Sequence, residues 1–389
     1  MGDLQFNPLA QPGDPDYGMM YISQGDFGVS RFPALSHLLQ TPGSVFGSTL
    51  RIDPLGNNST NGQYGIPSDN PWASDGDSNT LGEVWSYGHR NAHRLFWDPE
   101  DGRLYNFDIG SDTTGSSFEE INVVEGGNNY GWTLREGTRA KASPEGVATV
   151  LPVNDDTLGF TYPVAQFGDN EGNAIAGGVA YRGVDPDLNG KMVFGDIVTG
   201  RLFYSSLNDV IAADNDDSFN AAGNPQIATA AISELTVIHN GVQKNGGMRE
   251  IVQGLTGNTR VDLRFGTDGD REIYILTKTD GWIRRLAIVP IEGDFDGDLD
   301  VDGRDFLLWQ RNFGTNVVPN EDGDGNNDGF VDGADLLLWQ ANYGQGGALT
   351  SEVQVPEPRS VILLLAVVST TLAVARRSTP LNPIKTRQE

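Results

Sequence analysis

The 389-residue sequence contains no cysteine, which excludes disulfides, thiolate zinc sites and thiol catalysis together. Basic side chains are scarce: 26 Lys and Arg stand against 53 Asp and Glu, a formal charge of -27. That balance repels phosphate backbones and anionic lipid heads, so nucleic acid is not an expected partner. Only four histidines are available for proton transfer or metal ligation. The opening "MGDLQFNPLAQPGDPDYG" has neither a basic n-region nor an apolar h-region, so no secretory signal is legible there. Through about residue 290 no convincing amphipathic helix pattern occurs either.

What is present divides the chain by composition, and the length exceeds what one compact core usually holds. Residues 1–290 are rich in Gly and Asn with short alternating apolar runs, residues 291–346 are acidic and repetitive, and residues 347–389 form a polar linker and an apolar tail. Four of the apolar runs follow a turn: "GMMYISQGD" at Gly18, "GRLYNFDIG" at Gly102, "GKMVFGDI" at Gly190 and "GDREIYILTKTDG" at Gly269. Regular recurrence of strands with long Gly/Asn/Asp loops predicts all-β repetition, most economically a β-propeller; a β-sandwich or irregular barrel is the alternative. Four such segments leave room for four blades. Four blades of a larger ring would expose raw sheet edges, so N-terminal blades are expected to be missing from this sequence.

The densest polar stretch is "GHRNAHR", which offers a fixed cation at Arg90, an amide at Asn91 and imidazoles at His89 and His93. Such a set suits either an anionic or quinonoid cofactor and proton transfer, or a loop in which Arg and Asn tie down carbonyls while a histidine packs on a Trp. The order "LRIDPLG", "YGIPSDNPW", "GEVWSYGHRNAHRLFWDPEDGRLY", "EEINVVEGGNNYGW" and "GVAYRG" resembles the soluble glucose/sorbosone dehydrogenase family. These are six-bladed β-propellers that bind pyrroloquinoline quinone (PQQ) and calcium. The resemblance covers most of residues 1–290 and is strongest from Leu50 to Trp132.

By that resemblance Arg90 and Asn91 contact the quinone and are the catalytic candidates, the guanidinium stabilising negative charge on a carbonyl oxygen during hydride transfer. Gly110 and Ser111 fall where backbone carbonyls hold the catalytic calcium. Glu119, Glu120 and the backbone of Tyr130 match a further calcium site, and hard oxygen ligands are what that ion demands. The family's general base is a histidine upstream of the segment surviving here as "GDLQFNP", so it is expected to precede Met1. Where the family places a cofactor-binding lysine, this chain has Val198 and Thr199. Its paired arginines have Arg260 and Arg264 as loose counterparts.

From Glu292 to Asp335 thirteen acids face only Arg304 and Arg311. Two twelve-residue loops, "DFDGDLDVDGRD" from Asp294 and "DGNNDGFVDGAD" from Asp324, follow the EF-hand ligand spacing. The first supplies Asp294, Asp296, Asp298, the Asp300 carbonyl, Asp302 and Asp305, with Leu299 where glycine is expected. The second supplies Asp324, Asn326, Asp328, the Phe330 carbonyl, Asp332 and Asp335. Each loop runs into the same helix pattern, "FLLWQRNFG" and "LLLWQANYG". Duplicated units of this kind resemble the dockerin domain, which implies calcium-dependent folding and a cohesin-like or other surface partner.

The tail combines Pro-Glu-Pro at Pro356–Pro358, an apolar run from about Val361 to Ala375, and Arg376-Arg377. About 15 residues at ~1.5 Å each reach ~23 Å, short of a ~30 Å hydrocarbon core. The pattern resembles the bacterial PEP-C-terminal sorting signal and implies export, with transient membrane contact before processing. The fold expected is therefore all-β: a partial six-bladed β-propeller, a small α-helical dockerin-like domain of EF-hand type, and a C-terminal apolar helix. The function implied is PQQ- and calcium-dependent oxidation of a sugar hydroxyl at the cell surface. A non-catalytic surface propeller that binds carbohydrate or protein is the alternative.

Overall fold

The computed structural model describes residues 2–113, 115–185, 188–214, 227–240, 242–289, 292–297, 301–317, 322–345 and 348–356. Asp298, Asp300, Leu299 and the tail beyond Pro356 lie outside the described residues. The structure is mostly β, built from antiparallel sheets with few helices.

The first sheet contains β1 (Leu4–Phe6), β2 (Met20–Ser23), β3 (Ser48–Ile52) and β4 (Val84–Tyr87) in chain order. The second contains β5 (Ala92–Trp97), β6 (Leu104–Asp108) and β7 (Phe118–Val123). Its outer strand, β11 (Ala165–Gly168), arrives after the small sheet of β8 (Arg135–Glu136), β9 (Arg139–Lys141) and β10 (Ala148–Thr149). The third set is β12 (Ile175–Ala180), β13 (Lys191–Asp196), β14 (Leu202–Ser206) and β15 (Ser233–His239), with helix α1 (Leu207–Asp214) after β14 and β16 (Val242–Lys244) paired to β15. After α2 (Gly247–Thr256) come β17 (Leu263–Thr267), β18 (Ile273–Thr277) and β19 (Trp282–Val289). The acidic segment supplies α3 (Gly303–Asn312) and α4 (Gly333–Asn342). Residues 348–356, read from sequence as linker, form β20 (Ala348–Pro356), antiparallel to β19 and parallel to β15.

The first strands of the sets pack in series, β1 on β5, β5 on β12 and β12 on β17, and together line one groove. The sheets stack face to face over separate apolar cores. Tyr21, Leu95 and Leu104 fill the space between the first and second. Phe107, Ile121, Ile175, Phe194 and Phe203 fill that between the second and third, and Val193, Leu235, Leu263 and Ile275 that between the third and fourth. The four turn-led segments of the sequence become β2, β6, β13 and β18, the second strand of each set. One expectation fails: α2 is amphipathic, with Met248, Ile251 and Val252 buried at helical spacing. Gly247 and Gly254 within the helix and the flanking Gly246 and Gly257 dilute that pattern in the sequence.

Candidate functional site

The site is organised by Asp108, the last residue of β6, which is buried. Its carboxylate accepts the backbone N–H of Arg90 at 3.0 Å and of Asn91 at 2.6 Å, fixing the turn that leads into β5. The Asn91 carbonyl in turn accepts the Ile109 N–H at 3.1 Å. Arg90 is thereby aimed along the β6 end: Nη1 donates to the Ile109 carbonyl at 3.2 Å and Nη2 lies 3.5 Å from Asp112. Its side chain keeps 19% exposure, so one edge of the guanidinium reaches the surface.

Beneath this turn lies a small void of about 10 Å³. Three carboxylates border it: Asp108, Glu120 and Glu136. Gly110, Phe118, Tyr130 and Trp132 are among the residues that line its remaining sides. Gly110 has no room for a side chain, since a Cβ there would stand 2.3 Å from the Phe118 carbonyl oxygen. Ser111 donates its N–H and hydroxyl to Glu136, at 2.5 and 2.8 Å. The buried Lys141 ammonium bonds both Ser111 Oγ, at 2.9 Å, and the Glu136 carboxylate, and lies over the Trp132 ring.

Glu119 and Glu120 are neighbours on β7 and so point to opposite faces. Glu120 faces the void, bonding Gly137 N–H at 2.6 Å and Asn122 Nδ2 at 3.1 Å. Glu119 faces β12 and accepts the Ile175 N–H at 2.7 Å. Burial pushes both carboxyls up to about 8; the negative charge of Asp108 adds to the effect at Glu120. The structure thus brings Arg90, Gly110, Ser111, Glu120 and Tyr130 around one point, while Glu119 and the Asn91 side chain border other surfaces. Asp108, Glu136 and Lys141 were not singled out from the sequence. Only the position of Asp108, two residues before Gly110, gave a local signal.

The histidines of this stretch are structural. His89 is fully buried, with Nε2 3.3 Å from Ser86 Oγ, Nδ1 3.1 Å from Asn106 Nδ2, and its ring stacked on Tyr130. His93 has its Nε2 buried with no hydrogen-bond partner among the described residues, and burial, followed by Arg94 and Arg264, pushes it down to about 4. His37 is exposed on a 3-10 turn and His239 lies in β15.

The acidic loops form a second centre. In the first, the carboxylates of Asp294, Asp296 and Asp305 each offer an oxygen within 4.8 Å of the others. Asp305 also accepts Phe295 N–H at 2.6 Å, and it joins Asp302 in a capping box at the start of α3. In the second, Asp335 accepts Gly325 N–H at 2.9 Å and pairs with Asp332 in the same box on α4. Asp324 takes the N–H of Gly329 at 2.7 Å, and Asp328 that of Phe330 at 3.0 Å. Asn326 Oδ1 accepts the Asp328 N–H at 2.9 Å. The two halves interlock reciprocally: Trp309 Nε1 donates to the Asp332 carbonyl and Trp339 Nε1 to the Asp302 carbonyl, both at 2.7 Å.

Stacked antiparallel sheets, with a buried cup of oxygen donors beside an arginine turn, define a mostly β protein whose site lies at the strand ends. The glucose/sorbosone dehydrogenase family pattern matches residues 13–227. The chain belongs to the glucose/sorbosone dehydrogenase family. Among curated relatives, the HIPL1 protein of Arabidopsis thaliana is 30% identical over 200 residues, covering 47% of this chain and 27% of HIPL1. The aldose sugar dehydrogenase YliI of Escherichia coli (strain K12) is 36% identical over 69 residues, 18% of this chain and 17% of YliI. The chain thus spans about a quarter of the plant relative's length. Among solved structures, the apo-form of the soluble Escherichia coli aldose sugar dehydrogenase aligns at 20% identity and TM-score 0.43, covering 69% of this chain and 60% of that one. The PQQ-bound aldose sugar dehydrogenase of Streptomyces coelicolor aligns at 22% and 0.40, covering 72% and 56%.

Proposed function

We propose that this chain is the metal-holding part of a calcium- and PQQ-dependent sugar dehydrogenase, oxidising an aldose hydroxyl. The observation that carries the reading is the convergence of Asp108, Glu120 and Glu136 on a void of ion size beneath Arg90. Calcium takes six to eight oxygens, and the three carboxyl groups that border this void supply hard oxygen donors, with Lys141 bonded to Glu136. The residues therefore fit that ion. Family membership and the aldose sugar dehydrogenase relative support aldoses as the substrate class.

Arg90 and Asn91 would hold the quinone, which when bound supplies a two-electron acceptor for the hydride. The chain's own part is positional. Asp108 fixes the Arg90–Asn91 backbone, and the Ile109 carbonyl pins one guanidinium nitrogen, so the free edge of Arg90 presents positive charge in one direction. Asp108, Glu120 and Glu136 line the opposite side with carboxyl oxygens. The sheets would then be blades of a partial six-bladed propeller. The acidic loops would bind calcium and present α3 and α4 to a cohesin-like surface partner, and the C-terminal segment would serve export and transient membrane contact.

A second reading, a surface propeller that binds carbohydrate or protein without oxidising it, is favoured by one observation. His89 and His93 are both locked away from the Arg90 edge and cannot accept a substrate proton there. Adding PQQ and calcium chloride to the full chain separates the two. Quinone absorbance that bleaches with aldoses, and is lost in Arg90→Ala, supports the dehydrogenase. Sugar binding without bound quinone supports the module.

A further inference from the structure

The four inner strands β1, β5, β12 and β17 line a groove of about 660 Å³ that the proposed dehydrogenase chemistry does not use. Its charged lining is Asp3, Arg94, Arg182, Arg264 and Arg271. Arg182 is neutralised by Asp98 and Glu100, and Arg271 by Glu100 at 2.8 Å. Asp3 spends its carboxylate on the N–H groups of Leu4 and Leu95, at 2.9 and 3.3 Å. Arg94 and Arg264 differ from the other two arginines. Neither has a carboxylate within 4 Å among the described residues, and the bonds recorded for them run to backbone carbonyls: Arg94 to His93 and Gly2, Arg264 to Leu263. Asp262, the acid nearest to Arg264 in sequence, is engaged by Arg260 at 2.6 Å.

The backbone is shaped around this pair. β5 has a register shift between Ala92 and Arg94, and β12, which lies between β5 and β17, has one between Ile175 and Gly177. Bulges re-aim side chains, and here they do so at the same level of two neighbouring inner strands. Gly177 sits at φ 113, and a Cβ on it would stand 3.1 Å from Arg94 Cγ, so the absent side chain makes room for that arginine. Burial and the nearby Arg94 also depress Arg264, so the two guanidinium groups feel each other's charge. Two half-buried, mutually repelling cations without counter-ions are costly unless something anionic completes them.

We propose that Arg94 and Arg264 form a binding site for a small soluble oxyanion, a carboxylate or phosphate group, within the groove of the four inner strands. Guanidinium forks match both groups bidentately, and two forks recognise a compact or doubly charged anion best. The chain's net charge of -27 disfavours large polyanions, while at ordinary ionic strength the distant acids are screened from the groove.

The test is calorimetric titration of the full chain with inorganic phosphate and with citrate at low ionic strength, chloride serving as the control. Saturable heat is expected with either probe and none with chloride. Arg94→Gln and Arg264→Gln should each weaken it at least tenfold. Arg264→Glu should abolish it by placing a carboxylate beside Arg94, and that variant should fold at least as well because it supplies the missing partner. Arg139→Gln, on β9 and outside the groove, should bind as the parent does. Absence of heat with both probes, or heat that survives Arg264→Glu, overturns the proposal. Neither result bears on the Arg90 site, whose readout is quinone absorbance.

Discussion

His89 lies face to face with Tyr130, ring centroids 4.4 Å apart and planes 21° from parallel. The imidazole joins the end of the first sheet to the loop between β7 and β8, with both nitrogens engaged by Ser86 and Asn106. A side chain so enclosed supports the Arg90 turn and does not exchange protons with a ligand. His89→Ala should therefore cost about 2–4 kcal/mol of stability, from the lost stack, the cavity and the unpaired polar neighbours. Urea unfolding measures it. A variant as stable as the parent would show the histidine to be free of this framework.

His93 sets an acid limit. Its folded-state pKa is about 4 against an ordinary 6.5, so the unfolded chain takes up a proton that the folded chain refuses. The neutral ring's contribution is fully present above pH 6.5 and is lost as pH falls from 6.5 to about 4, by roughly 2–3 kcal/mol. Glu119 and Glu120, raised to about 8, act oppositely: the folded state holds their protons between 4.5 and 8, so they add stability as pH falls through that range. Comparing His93→Gln with the parent cancels the carboxyl contribution. The stability difference between the two proteins should shift toward the variant by that amount between pH 7 and 4, and an unchanged difference would disprove the assignment.

The turn-led segments at Gly18, Gly102, Gly190 and Gly269 were legible because alternation and turn chemistry are local, and each became the second strand of its set. The inner strands were harder to see. β12 is buried at all six positions, so it shows no alternation to read. The oxygen cup was partly legible, through Gly110, Glu120 and Tyr130, because those residues lie in short motifs. Glu136 and Lys141 come from the small sheet after β7 and meet Ser111 only through the tertiary fold, across separations no local pattern encodes. Conversely, adjacency in sequence joined Glu119 to Glu120, and the strand's two-residue period separates them.

The acidic loops should depend on calcium. Three carboxylates in the first loop crowd within 4.8 Å, and the helices they cap share one small interface, where the Phe306 ring packs tilted against Trp309 and Trp339. A core so small cannot hold like charges together without a cation. Chelation is expected to abolish hydrogen-exchange protection in α3 and α4 while leaving β5, β6 and β12 protected. Asp305→Ala should do the same for α3 in the presence of calcium, because it removes both a ligand and the capping box. Protection in both helices that persists through chelation counts against metal-coupled folding.

Lys141 and Glu136 test the buried cup directly. Both side chains are sealed from water, at 0% and 2% exposure, and the ammonium is the cation that Glu136 holds. Lys141→Met strands a carboxylate beside Asp108 and Glu120 and should cost about 3–5 kcal/mol; Lys141→Met with Glu136→Gln should recover most of that loss. Removing one positive charge also makes the cup more attractive to a divalent ion, and an ion that binds only the folded state stabilises it by mass action. Calcium should thus raise the melting temperature of Lys141→Met more than that of the parent, a difference in which the contribution of the acidic loops cancels. Equal shifts in the two proteins would place the ion elsewhere.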